Sequence, residues 1–375
     1  MPFRRPMPGV FTEPAFSPAW YSAINVGEWG TLPNSVLSTS GVQQDFAGGA
    51  GVFAFSGGIV NTTGVYVGTN FIAGAFLILW GGGHNDYGGN EVYAYGPLKA
   101  DSPQWYRLRD RTAVFPNNVE EDGSGNPVSR HTYHTIQHIP LGGRNWLFST
   151  GGLARYTDAG GSQLTNVFNF YQSDPNTNQP WSKKANVGVG AADTASYDST
   201  TGIVWSHPGN LNSVQSYDVA ADSYSFANFK SPGWGVGGVS AIDTGRGIWA
   251  ITWTTGLNFY RLNAGTGNDY YIPTTTGTAP AGNRTMLYDP DADVFRVWNG
   301  GGRTLFTLTP PATLPYAGGN AWVWSSASAG AGATPDAQDA NGTYGRFGLV
   351  RLSNNVRGYI LLNAAASSIY FYRLV

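Results

Sequence analysis

Three histidines stand three and four residues apart, at His131, His134 and His138. On a helix that spacing stacks one face and suits a metal ion. The segment HTYHTIQHIPLGGRNWLFSTGG, from His131, instead reads as strand, turn and strand, where an offset of three points side chains to opposite faces. Hydrogen-bonded histidines are therefore expected here, with no metal and no cofactor. His84 sits in GGGHNDYGG, where it orders a loop that also offers Asp86 and Tyr87 for contact. Arg130, Arg284 and Arg346 each stand just before an apolar strand, in SRHTY, NRTML and GRFGL. A guanidinium carries five donors, so each can tie neighbouring units together, or the set can ring a funnel for an anionic or sugar ligand. Trp234, in SPGWGVGG, can stack on a sugar or plug the same funnel. The candidate contact residues are thus His84, Asp86, Tyr87, Arg130, His131, Trp234, Arg284 and Arg346. No paired carboxylates stand out for acid-base hydrolysis, so no catalytic residue is assigned and a non-enzymatic role is expected.

Those residues hang on a repeat. ASYDSTTGIVWSHPG from Ala195, SAIDTGRGIWAITWT from Ser240 and MLYDPDADVFRVWNGG from Met286 superpose, with Asp198, Asp243 and Asp289 spaced 45 and 46 residues apart. Each is an apolar strand, an Asp-led turn and a second apolar strand. The Asp carboxylate accepts backbone N–H groups two residues on and starts a tight turn. Looser copies begin at Phe55, His131 and Phe347, which makes six. Third strands follow in GNEVYAYGP, NVFNFYQ, SVQSYDV, LNFYRLN, TLFTLTP and SIYFYRLV, and aromatic fourth strands in QWYRLR, PWSKKA, SYSFANF, DYYIPT and AWVWSS. The last copy lacks a fourth strand, which GEWGTLP, from Gly27, can supply. A period of this length, built of short strands, predicts an all-β propeller of six four-stranded blades, with seven the alternative, closed by that N-terminal strand against the C-terminal blade. Residues 1–18 carry five prolines and no period, and read as an arm, disordered or docked on a neighbouring subunit; 19–375 read as one domain.

Composition agrees. The chain has 52 glycines, 14% aromatic residues and only 12% charged ones, against roughly 25% in an ordinary domain, so strands, tight turns and a neutral hydrogen-bonding surface are expected. A net charge of −2 without a dense basic run gives no footprint for nucleic acid or an acidic membrane. No eighteen-residue apolar run could span a bilayer, and Arg4-Arg5 precedes no long apolar stretch of the secretory kind. There is no Cys, hence no disulfide or thiolate, and the compartment stays open.

GGGHNDYGGNEVYAYG, from Gly81, resembles the kelch-type β-propellers in its glycines, polar loop and Asn-Glu-Val-Tyr strand; PVSRHTY and the fourth-strand tryptophans fit the same pattern. The resemblance implies close backbone approach at Gly82, Gly83, Gly151 and Gly152. In the galactose oxidases of this fold a copper-radical site needs a Tyr cross-linked to Cys, which a chain without Cys cannot form. SAIDTGRGIW approaches a sialidase Asp box but has one residue too many between Ser240 and Asp243. The WGGGHNDYGGNEVYAY block is also similar to kelch-like chains among structural proteins of tailed bacteriophages. That likeness implies a virion component contacting other virion proteins or a host-surface glycan, while the docked-arm reading of residues 1–18 allows homo-oligomers. A carbohydrate-binding or carbohydrate-active propeller is the second expectation. A cytoplasmic kelch interaction module is the third.

Overall fold

The computed structural model describes residues 17–44, 57–67, 70–81, 89–111, 121–141, 144–154, 163–171, 181–186, 192–208, 214–227, 238–253, 256–262, 270–282, 285–313, 320–338, 342–353 and 355–375. The described chain is an all-β propeller of small antiparallel sheets. The first sheet takes Gly57–Asn61, Phe76–Trp80, Val92–Gly96 and Gln104–Arg109 in order. The third takes Ala192–Asp198, Ile203–Pro208, Val214–Asp218 and Ser223–Ala227; the fourth takes Val239–Asp243, Ile248–Trp253, Gly256–Arg261 and Tyr270–Tyr271. The last sheet runs Phe347–Ser353, Val356–Leu361 and Tyr370–Arg373, and ends on Trp29–Thr31 from the start of the described chain. That pairing is antiparallel, Trp29 opposite Tyr372 and Thr31 opposite Tyr370, as the closing-strand expectation requires.

Two sheets depart from the expected uniform set of four-stranded units. In the second, the first strand is broken: Arg130–His131 and Ile136–Leu141 lie along different stretches of Arg144–Ala154, which continues to Gln163–Tyr171 and Ser182–Asn186. The fifth, built on Leu287–Asp289, Val294–Trp298, Thr304–Thr309 and Trp322–Ser328, gains Thr275–Thr276 as a parallel strand outside Trp322–Ser328. Among the described residues five sheets thus run through four strands in line and one through five, which corrects the expectation of uniform four-stranded units. The described ends of the block Leu77 to Tyr95 lie in the second and third strands of the first sheet, Leu77 opposite Tyr95, outside the innermost Gly57–Asn61. A two-stranded ribbon, Gly64–Val67 with Asn70–Ala73, is inserted ahead of it.

Why these residues make these sheets is plainest in Phe76–Trp80. FLILW is apolar throughout because both faces are covered. Leu77 and Leu79 turn toward the last sheet, joining Val350, Ile360 and Phe371, while Phe76, Ile78 and Trp80 turn toward Ile136 and Trp181 of the second. The strand period of two divides the residues between two inter-sheet cores. The remaining neighbours are packed likewise: Ile139 with Val204, Val214 with Trp249, Phe259 with Phe295, and Trp298 with Tyr359.

The Asp-led turns form as their chemistry requires. Asp198 accepts from the Thr200 backbone N–H and from the Thr200 and Thr201 hydroxyls. Asp243 accepts from the backbone and guanidinium of Arg246. Asp289 accepts from the N–H groups of Asp291 and Ala292 and from the Tyr359 hydroxyl at 2.6 Å. All three carboxylates are buried, so satisfying their oxygens holds each hairpin in place. Among the described residues no helix is long and apolar enough to cross a membrane.

Candidate functional site at the propeller axis

The first strands of the sheets touch one another in a circle. Gly57–Asn61 meets Ile136–Leu141, which meets Ala192–Asp198, and the contacts pass through Val239–Asp243, Leu287–Asp289 and Phe347–Ser353 back to Gly57–Asn61. The candidate residues beside these strands therefore converge on one axis. Of the eight, His84, Asp86, Tyr87, Trp234 and Arg284 lie outside the described residues. Arg130, His131 and Arg346 are described, and all three are buried.

Arg346 is committed to its own sheet. Its Nε donates to the Leu362 carbonyl at 3.0 Å, and one terminal nitrogen donates to the Gly342 and Asn363 carbonyls at 2.6 and 2.9 Å. The stem packs where a Cβ on Gly58 of the first sheet would be, 2.7 Å from Arg346 Cγ. A guanidinium at 1% exposure, turned onto backbone carbonyls, holds a loop and the joint between the last and first sheets. Arg130 is fully buried, with its guanidinium 5.9 Å from the Trp80 ring centre, a cation–π contact that joins the second sheet to the first.

His131, His134 and His138 do not lie on one unbroken strand. Thr135 returns both its N–H and its hydroxyl to the Thr132 carbonyl at 2.7 Å, closing a turn in which Tyr133 adopts φ 41°. This turn separates His131 from Ile136–Leu141, which contains His138. His131 Nδ1 lies 3.1 Å from the Tyr133 hydroxyl. His134 meets Thr194 Oγ1 at 3.3 Å, Thr194 meets Ser240 at 2.7 Å, and Ser240 meets Ser196 at 2.9 Å. This chain of buried hydroxyls links the second, third and fourth sheets. Burial depresses the His134 imidazole to about 4, a backbone bond at Ala195 opposing the shift, so the ring is neutral near pH 7. Among the described residues no three His, Cys, Asp or Glu side chains are grouped to hold a metal.

Two residues at the axis were not singled out from the sequence. Tyr133 and Tyr344 meet edge to face at 5.2 Å, and both pack with Val239, Ala241 and Met286 of the fourth and fifth sheets. Their own backbones belong to the second sheet and to the turn before the last, so the two rings join those elements to the fourth and fifth sheets. Tyr344 has φ 46°, matching Tyr133 at 41°, and each follows a fully buried Thr. Left-handed backbone is costly for an aromatic residue and persists only where surrounding packing fixes it. The signal was legible as a repeated Thr-Tyr pair, in RHTYHT and NGTYGR, just ahead of two innermost strands.

Gly81, the residue just before the glycines named from the sequence, makes a close approach. At φ 81°, a Cβ there would sit 2.5 Å from Thr132 Cγ2 and 3.1 Å from the Arg130 carbonyl. Gly82 and Gly83 lie outside the described residues, and Gly151 falls in a register shift between Thr150 and Gly152.

A circle of small antiparallel sheets around one axis defines a β-propeller. No protein-family model matches the sequence, and no curated protein matches it. Among solved structures the chain is similar to YjhT, at 12% identity and TM-score 0.44, over 85% of this chain and 94% of that one. It is similar to an auxiliary nutrient binding protein from Bacteroides ovatus, at 9% identity and TM-score 0.42, over 84% and 78%. A functionally unknown protein from Desulfotomaculum acetoxidans is similar at 7% identity and TM-score 0.41, over 85% and 88%.

Proposed function

We propose that this chain is a non-enzymatic structural or adhesion component of a virion, a six-bladed kelch-type propeller that works through its outer surfaces. The observation that carries the structural role is that buried side chains join the sheets: Tyr133 packs on Tyr344, and Arg346 spends its donors on the Gly342, Leu362 and Asn363 carbonyls. Among the described candidates, Arg130 and Arg346 join neighbouring sheets. The circle of first-strand contacts supports counting six blades. The kelch assignment rests on the glycine, Asn-Glu-Val-Tyr and Trp pattern, and the virion assignment on the likeness of WGGGHNDYGGNEVYAY to bacteriophage structural chains. Mass spectrometry of purified particles tests the virion reading: the chain is expected at fixed stoichiometry to the capsid or tail proteins. Recovery only as free protein, with specific glycan binding lost on Trp234→Ala, would establish the carbohydrate-binding alternative instead.

A further inference from the structure

The segment that closes the ring also walls a groove beside the first sheet. Residues 31–42 form one side of it, and the start of Gln104–Arg109, the outermost strand of that sheet, forms the other. Its volume is about 760 Å³, within the roughly 300–1,000 Å³ of small-ligand sites. Three bonds tie the walls together. The Asn34 amide donates to the Ser102 hydroxyl at 2.8 Å, the Trp105 indole N–H to the Ser35 carbonyl at 2.8 Å, and the Arg107 guanidinium to the Val42 carbonyl. No charged side chain lines the groove. Its exposed residues are Thr31, Asn34, Thr39 and Gln104, all hydroxyl or amide, while the apolar Leu32 and Trp105 are buried. The Gln104 amide donates to the Tyr106 hydroxyl at 2.8 Å, so Gln104 and Asn34 are both held through their nitrogens and each keeps a carbonyl oxygen to accept with. The hydroxyls of Thr31 and Ser368, also in the lining, take no partner among the described residues.

We propose that this groove binds an uncharged saccharide. The inference rests on reading the propeller as an adhesion component that works through its outer surfaces, and it sets the contact apart from Trp234 and the axis. Each sugar hydroxyl both donates and accepts, which is the complement of oriented amide oxygens beside unpaired hydroxyls. A phosphate, an acidic sugar or a charged peptide would lose water there without gaining a counter-charge. A lipid, or a peptide anchored by large side chains, would find no exposed apolar residue in the lining. Every bond in such a groove competes with water, so the affinity of one site is expected to be millimolar. Several copies presented together in an assembly raise it through effective concentration.

Saturation-transfer-difference NMR of the full chain tests this, with lactose, maltose and chitobiose as probes and glucuronic acid and a tetraserine peptide as comparisons. Signal is expected from at least one disaccharide and from neither comparison. Thr31→Val with Ser368→Ala removes the two unpaired hydroxyls and is expected to weaken binding about tenfold, Gln104→Ala by several-fold, and Trp234→Ala not at all. Near-ultraviolet circular dichroism confirms that each variant is folded. Absence of signal from all three disaccharides overturns the proposal, and so does binding that the groove variants leave unchanged. Signal from the peptide alone makes the groove a peptide site and overturns the saccharide assignment. Particles that contain the chain, with no disaccharide bound by the purified protein, would leave the virion reading standing and remove this inference alone.

Discussion

At the scale of single residues, buried polar groups here act as fasteners. Removing Arg346 leaves the Gly342, Leu362 and Asn363 carbonyls without their charged donor inside the fold. Arg346→Ala is expected to lose about 3 kcal/mol or more in urea unfolding, with Arg346→Lys recovering only part, because an ammonium cannot reproduce the planar fork. His134 and His207 are each held by burial near a pKa of about 4, below the ordinary 6.5. The sign follows: between those values the unfolded chain binds protons that the folded chain refuses. Stability is therefore fully present above about pH 6.5 and falls as pH drops toward 4, by about 3 kcal/mol per histidine. Urea midpoints measured across that range should show the decline, and His134→Gln should flatten it if the fold tolerates the change. A curve for His134→Gln parallel to wild type would remove His134 as a contributor.

At the scale of elements, most of the strand pattern was legible in the sequence, because a two-sided core writes itself as short apolar runs separated by Asp and Gly turns. Asp198, Asp243 and Asp289 each accept the turn N–H groups that their positions implied. What could not be read was the break between His131 and Ile136, since a left-handed tyrosine gives no periodic signal and depends on the packing of distant sheets. The parallel strand Thr275–Thr276 was equally hidden: two exposed threonines carry no pattern, and the Thr274 carbonyl finds the Trp322 N–H only in the fold. The tie between Gly332 and the closing strand belongs here too. A Cβ at Gly332, where φ is 84°, would lie 2.3 Å from the Trp29 carbonyl, which accepts from the Ala333 N–H at 2.7 Å. Gly332→Val is expected to cost about 1–3 kcal/mol, and hydrogen exchange should quicken in Trp29–Thr31 before it does in the third sheet.

At the scale of the molecule, the ring is closed by a segment that reaches both ways. The Tyr21 hydroxyl donates to the Val375 carbonyl at 2.5 Å and accepts from the Arg357 N–H at 3.1 Å, while Trp105 donates to Ser35 at 2.8 Å and Leu32 to Ile369 at 2.9 Å. A circular permutant that joins Val375 to Ser17 through a short flexible linker, and opens between the third and fourth sheets within 228–237, should keep the same unfolding free energy within about 1 kcal/mol. Loss of cooperative unfolding in it would show that chain order matters beyond the contacts. The bond between Tyr21 and Arg357 joins residues 336 apart in sequence. At ribosomal rates of roughly 5–20 residues per second, Tyr21 waits about 20–70 s for that partner to be synthesised. During this interval Trp20, Tyr21 and Trp29 lack their final covering. A chain truncated before Tyr370 is therefore expected to leave Trp20, Tyr21 and Trp29 uncovered and to bind a hydrophobic dye that the full chain excludes.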